Sequence, residues 1–328
     1  MKKLIYGGLF FTLVAFGAVG CKKKVDGNLK TTNQNLVIDN QPAMQTSHKG
    51  VLTNGKILIF ESSEIYNSMI SNLDSTFVVQ FYNDMIGLEF NSLNELTEQK
   101  SLNNGIDDYY LKSILNQDNT VQIGEYLYRV NKTSESVFVL HHQYSDQYAD
   151  LVNENTDNIN IKVYSTEEDV IDLVEAGVNS QEKGLFCKDR RAQKKDDWSD
   201  WAQTGPYENM KLYVKYKKFG IYHALSAEGY RSTNSSQYKY YYQIENSSYR
   251  QRCGSSLNNY SHPWRSGNGN NVFGSPAMYS DVFRLYSGMK QLKNYRFKVR
   301  LRCNNYTLPR PTHDWTPHFT DYVLIQDY

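Results

Sequence analysis

The sequence predicts an α+β fold in two parts: an N-terminal acidic α+β domain, followed by a mainly antiparallel β-sandwich domain rich in tyrosine. Charge is the first observation behind this. Residues 22–180 hold 11 Lys+Arg against 23 Asp+Glu, 11 − 23 = −12, whereas residues 181–328 hold 23 against 12, 23 − 12 = +11. Lys2 and Lys3 complete the formal net charge of +1. Composition shifts at the same place, because all four tryptophans, and 17 of the 27 tyrosines from Tyr207 onward, lie in the second part. Periodicity changes too, from strand-then-helix phrases to a succession of short strands. A chain of 328 residues that is 40% hydrophobic and 22% charged buries a large core and excludes disordered, collagen-like and polytopic membrane classes. The expected boundaries are a signal peptide at 1–20, a flexible tether at 21–49, the acidic domain at 50–180, a linker at 181–204 and the basic domain at 205–328.

The first segment has a positive start, Lys2 and Lys3, then an apolar stretch from Leu4 to Val19. It is too short to span a membrane and ends in small residues, which is the pattern of an export signal. Ala18-Val19-Gly20-Cys21 resembles the bacterial lipobox, with Ala18 where that motif usually has Leu. The resemblance implies that Cys21 is lipidated and becomes the new N-terminus, anchoring the chain to a membrane. The implied location is the bacterial cell envelope, as an outer-membrane lipoprotein facing the periplasm or the cell surface. Lys22, Lys23 and Lys24 open a polar segment to about Lys49 that suits a solvated tether.

In the acidic half, Ile57 to Phe60 is an apolar run suited to a buried strand. Ser62 is placed to cap a helix whose Ile65, Met69, Ile70 and Leu73 recur at helical spacing. A short helix is expected over Tyr109 to Leu115. Strands follow over Thr120 to Ile123, Tyr126 to Val130 and Val137 to His141, with a tight turn at Gly124-Glu125. A second strand-helix phrase runs from Ile161 to Tyr164, through an expected capping box at Thr166 to Asp169, to a helix ended by Gly177. In the basic half, Lys211 to Lys218, Tyr238 to Glu245, Phe297 to Arg302 and Tyr322 to Ile325 carry strand patterns. Loops rich in Ser, Asn and Gly are expected at 232–237 and 266–274.

Chemistry is sparse. Export places Cys187, Cys253 and Cys303 where disulfides persist. Cys253 and Cys303 share the β region, and bridging them would contribute on the order of 4 kcal/mol in the chain-entropy model. His313, Asp314 and His318 cluster in sequence but match no zinc signature. His141 and His142 adjoin in a strand pattern that sends their rings to opposite faces. Gly267, Gly269 and Gly274 lack the Lys and Ser/Thr ending of a phosphate loop. No catalytic residue, metal site or cofactor is assigned. Lys298, Arg300 and Arg302 alternate along one strand and form an expected cationic ridge. Trp264 and Trp315, each expected in a loop beside a proline and a histidine, are candidates for an aromatic platform. Trp198 and Trp201 are expected to staple the linker to a domain.

The lipobox, the Asn-rich tether, Ser113 to Asn116 leading to Val121 to Gly124 and Tyr126 to Val130, and the closing Tyr-rich β region together resemble uncharacterised surface or periplasmic lipoproteins of the Bacteroidetes. That resemblance implies location and architecture, with no activity or catalytic residue attached. The expected role is non-catalytic binding or structural interaction with an anionic glycan, lipid or protein partner. An exported, anchored chain has no nucleic acid to meet. The alternative is an extracytoplasmic hydrolase acting on glycan or peptide through carboxylates that sequence does not locate.

Overall fold

In the computed structural model, which describes residues 44–45, 50–72, 90–93, 105–177, 191–200, 202–205, 208–231, 238–251, 255–266, 279–305, 318–320 and 322–328, the local signals of the acidic half build one sheet. Its strands are β1 (Met44–Gln45), β2 (Val51–Thr53), β3 (Leu58–Phe60), β4 (Thr120–Ile123), β5 (Tyr126–Asn131), β6 (Ser136–His141) and β7 (Ile161–Ser165), hydrogen-bonded in that order. All neighbours are antiparallel except β3 and β4, which run parallel. A parallel pair needs a crossover. Here the intervening chain supplies α1 (Ser63–Ser71), whose Ser62 cap accepts from Ile65 N, and α2 (Tyr109–Ile114), whose Asp108 cap accepts from Tyr110 N and Leu111 N.

β6 is apolar on both faces because both faces are covered. Val137 and Val139 enter a core with Tyr66, Ile70, Leu111, Ile114 and Tyr128. Phe138 and Leu140 enter a second, with Leu127, Tyr148 and Leu151, beneath a short 3-10 turn (His142–Gln147) and α3 (Tyr148–Val152). Full burial of each such side chain is worth about 1.5–3 kcal/mol. α4 (Val170–Glu175) ends, as expected, at Gly177 in the left-handed region, φ +65°.

Two local expectations are corrected. The capping box expected at Thr166–Asp169 does not form, since the N-cap Asp169 makes no side-chain cap bond; one residue earlier a reciprocal pair forms instead, in which Ser165 Oγ accepts from Glu167 N and Glu168 Oε2 accepts from Ser165 N. It closes the turn before α4 and leaves Asp169 Oδ1 to accept from Gln291 N at 2.7 Å. His141 and His142 do not face opposite ways. Their rings stack at 4.8 Å and 23°, because β6 ends at His141 and the 3-10 turn begins at His142, where strand alternation no longer applies.

The basic half is mostly β and antiparallel. One sheet comprises β8 (Asp196–Trp198), β9 (Ala202–Gly205), β10 (Glu208–Lys218), β11 (His223–Arg231) and β14 (Tyr279–Gly288), ordered β14-β11-β10-β8 with β9 also on β10. The other comprises β12 (Tyr238–Arg250), β13 (Asn258–Ser266), β15 (Asn294–Asn305), β16 (His318–Phe319) and β17 (Val323–Asp327), ordered β13-β12-β15-β16 with β17 on β15. Their facing side chains share one apolar cluster: Leu212, Val214 and Tyr216 from the first meet Phe297, Val299 and Leu301 from the second. Tyr242 stacks on Phe283 across the gap at 4.3 Å. Of the expected linker 181–204, the described residues 192–200 and 202–204 enter this assembly. Ala192 is fully buried and its N–H bonds to Leu292 O, and Trp198 stacks on Tyr213 at 4.1 Å.

The described residues, all between 44 and 328, belong to one compact unit, and the two halves share a core. The tip of the β10–β11 hairpin carries Phe219, Ile221 and Tyr222 into the cluster of the first sheet. Tyr66 OH donates to Ile221 O at 3.2 Å, and Val170 N donates to Gly220 O. No helix among the described residues is long and apolar enough to cross a membrane.

Candidate functional site

β15 shows how a strand period builds a two-sided element. Tyr295, Phe297, Val299 and Leu301 point into the core at 0–1% exposure, so Arg296, Lys298, Arg300 and Arg302 must line the opposite face. The structure therefore brings Lys298, Arg300 and Arg302 together, as the sequence predicts, with cations recurring about every 6.7 Å along the strand. Two tyrosines that sequence reasoning did not single out complete the face. Lys298 Nζ and Arg300 Cζ lie 4.3 and 4.6 Å from the centre of the Tyr322 ring, and Arg302 Cζ lies 4.8 Å from that of Tyr241. Tyr241 is the residue opposite Arg302 in the β12–β15 register. Tyr322 precedes β17 and reaches the cations only because β17 pairs with β15, so no spacing in the sequence announces it.

The face is held in place by its own bonds. Tyr322 OH donates to Gln243 Oε1 at 2.7 Å, Arg300 Nε donates to Thr320 O at 3.1 Å, and Lys298 Nζ meets Glu245 Oε2 at 2.7 Å. The bond from Lys298 holds the Glu245 carboxyl below its ordinary range. Burial and the adjacent Glu245 push the Tyr322 phenol up, so its ring is neutral at physiological pH. Lys298, Arg300 and Arg302 thus share this face with Tyr322, Tyr241 and Glu245. Each cation is seated on an aromatic ring, an arrangement worth about 0.5–1 kcal/mol per contact at exposed positions.

The remaining candidates fall elsewhere. Trp264, expected in a loop, belongs by its backbone to β13, a sheet edge. The β12 register there passes from Arg265 to His262 while β12 advances from Tyr242 to Ile244, so Pro263 and Trp264 occupy a bulge. An edge strand with a bulge tolerates a proline that cannot donate to the ladder. Cys303 lies in β15, opposite Tyr240 and His318. Cys21, Cys187, Cys253, Trp201, His313, Asp314, Trp315 and the greater part of both expected loops lie outside the described residues. Among the described residues no group of three His, Cys, Asp or Glu side chains is arranged to hold a metal ion.

A second cluster, buried between the halves apart from the exposed Asp107 at its edge, is also invisible in the sequence. Lys215, Lys217 and Arg284 meet Asp107, Asp108 and Glu228, three cations against three carboxylates. Lys215 lies 2.8 Å from Glu228 and 2.9 Å from Asp107, Lys217 3.2 Å from Asp108, and Arg284 2.9 Å from Asp108. Burial would raise the Asp108 pKa, but the Arg284 guanidinium and the Lys217 ammonium outweigh it and hold the carboxyl well below the usual range. Burial would likewise lower Lys217, and Asp108 and Glu228 reverse that, pushing it up. Groups locked in opposite charge states suit structure. A general acid needs the contrary, a carboxyl whose pKa is raised toward neutrality.

Comparison with known proteins returns no matching family model, no matching curated protein and no matching solved structure.

Proposed function

We propose that this chain is a lipid-anchored protein of the bacterial cell envelope that acts by binding, with the outward face of β15 as its contact surface for an anionic glycan. The observation that carries the reading is the interleaved row of Lys298, Tyr322, Arg300, Arg302 and Tyr241. Cations meet carboxylate, sulfate or phosphate groups, while tyrosine rings stack on the apolar faces of sugars. The lipobox-like Ala18 to Cys21 supports the anchor, and the polar segment after it supports a tether that presents the fold away from the bilayer. The two five-stranded sheets of the basic half, sharing one apolar cluster, support a β-sandwich as the scaffold. The pairing of Cys253 with Cys303 belongs to the same proposal, resting on export and on their shared β region.

The test is an array of acidic and neutral polysaccharides probed with the full chain across a salt series. Acidic glycans are expected to bind at low ionic strength and to weaken as salt rises, since exposed charges are screened beyond about 10 Å at 0.1 M. The triple variant Lys298→Gln, Arg300→Gln, Arg302→Gln is expected to lose at least about tenfold in affinity, on the order of 1.4 kcal/mol. Binding that ignores both salt and the triple variant overturns the assignment.

A further inference from the structure

The first sheet carries a concave groove of about 260 Å³, remote in sequence from the β15 face and independent of the proposal above. Its principal side chains are Tyr126, His141, Gln143, Tyr144, Asn160 and Tyr164. They converge for topological reasons. Tyr126 and His141 are opposite one another in the β5–β6 register, the 3-10 turn after β6 brings Gln143 and Tyr144 round, and β7 adds Tyr164 after Asn160 at its entry.

The rings stand at steep angles. Tyr126 and His141 meet at 4.9 Å and 86°, His141 and Tyr144 at 6.5 Å and 70°. Neither of these pairs is parallel, and such tilted rings suit a puckered ligand with an apolar C–H face. The polar groups are fixed in turn. His141 Nδ1 accepts from Gln143 N at 3.2 Å, which places its proton on Nε2, 3.5 Å from Glu125 Oε2. Asn160 Nδ2 donates to Gln147 Oε1 at 3.1 Å. Lys162 adds one positive charge to the lining, Glu125 one negative charge beside His141 and Glu168 another that acts on Tyr164, so the groove does not select for an anion. At its rim Ile159 is 92% exposed, a bare apolar side chain beside polar donors and acceptors.

We propose that this groove binds one uncharged pyranose unit of a saccharide. Its ligand must offer an apolar face to tilted rings and a hydroxyl edge to amides, phenols and an ammonium, with little net charge. A pyranose has both surfaces. The volume lies below the roughly 300–1,000 Å³ of sites for drug-sized ligands, which fits a single ring.

Saturation-transfer NMR on the full chain tests this, using methyl glucoside, methyl galactoside, methyl mannoside and methyl N-acetylglucosaminide in the millimolar range, with sorbitol as the open-chain control. At least one pyranoside is expected to saturate, chiefly through protons of one ring face, and sorbitol is not. Tyr126→Ala and Gln143→Ala are each expected to weaken that pyranoside by about tenfold, with Tyr126→Phe retaining it. Gln143 is exposed, so its variant stays informative should Tyr126→Ala fail to fold. The triple β15 variant is expected to bind the pyranoside normally, which separates this site from the anionic one. Saturation by no pyranoside, equal saturation by sorbitol, unchanged affinity in both groove variants, or loss in the β15 variant overturns the inference.

Discussion

Asp108 shows how much one side chain does here. It is 1% exposed, its Oδ1 caps α2 by accepting from two backbone N–H groups at 3.1 Å, and its carboxylate faces Arg284 and Lys217. Breaking a buried ion pair by removing one partner costs about 3–5 kcal/mol, because the other charges stay buried. Asp108→Ala is therefore expected to destabilise by about that amount in urea unfolding. Asp108→Asn keeps the capping oxygen and is expected to cost about 1 kcal/mol less. The carboxyl has a folded pKa below its unfolded value of about 3.9. Its contribution is thus fully present above the unfolded value and is lost as pH falls through the folded one. The stability gap between native chain and Asp108→Asn should stay constant from pH 7 to about 5, begin to narrow near pH 4 and go on narrowing as pH falls toward the folded value. A gap that widens below pH 4, or that keeps its neutral-pH size at pH 2, would refute the charge assignment.

At the scale of elements, the β10–β11 hairpin is the joint. Its tip turns at Gly220, φ +76°, where an added Cβ would stand 2.6 Å from Val137 Cγ2 and 3.0 Å from Val170 Cγ2. Only glycine meets both demands, the left-handed conformation and the close approach of β6 and α4. Gly220→Ala is expected to cost about 2–4 kcal/mol, strain and overpacking together. Gly124, with φ +57° and nothing within 4 Å of an added Cβ, serves as the control for conformation alone, and Gly124→Ala should cost no more than about 1–2 kcal/mol. Equal melting shifts for the two would show that the hairpin tip is not packed as described.

For the whole molecule, the sequence discloses the division of charge but not its use. Lys218 pairs with Glu167, Lys194 with Glu135, and Lys290 with Asp172, so cations of the basic half neutralise carboxylates of the acidic half across their contact. No periodicity reports a partner 50 or more residues away. Strands with a clear pattern were legible, such as β4, β5, β6 and the core of β15. β11 was not, because His223, Ala224, Ser226, Glu228 and Gly229 carry little strand preference and form a strand by being buried on both faces. The ridge on β15 was legible from alternation alone, whereas Tyr241 and Tyr322 required the register between strands.

That shared contact predicts one unfolding transition rather than two. The described helices all precede residue 178, and the four tryptophans all follow residue 197, so helical circular dichroism follows the first half and tryptophan fluorescence the second. If Phe219, Ile221 and Tyr222 are core residues of the first sheet, neither half keeps its packing after the other melts. The hairpin tip would carry three fully buried apolar side chains into water, at about 1.5–3 kcal/mol each, along with cations stripped of their carboxylates. Thermal curves from the two probes should therefore coincide, and Gly220→Ala should shift both by the same amount. Midpoints several degrees apart, or a Gly220→Ala shift confined to one probe, would mean that the halves unfold as independent domains and that their ion pairs contribute little to holding them together.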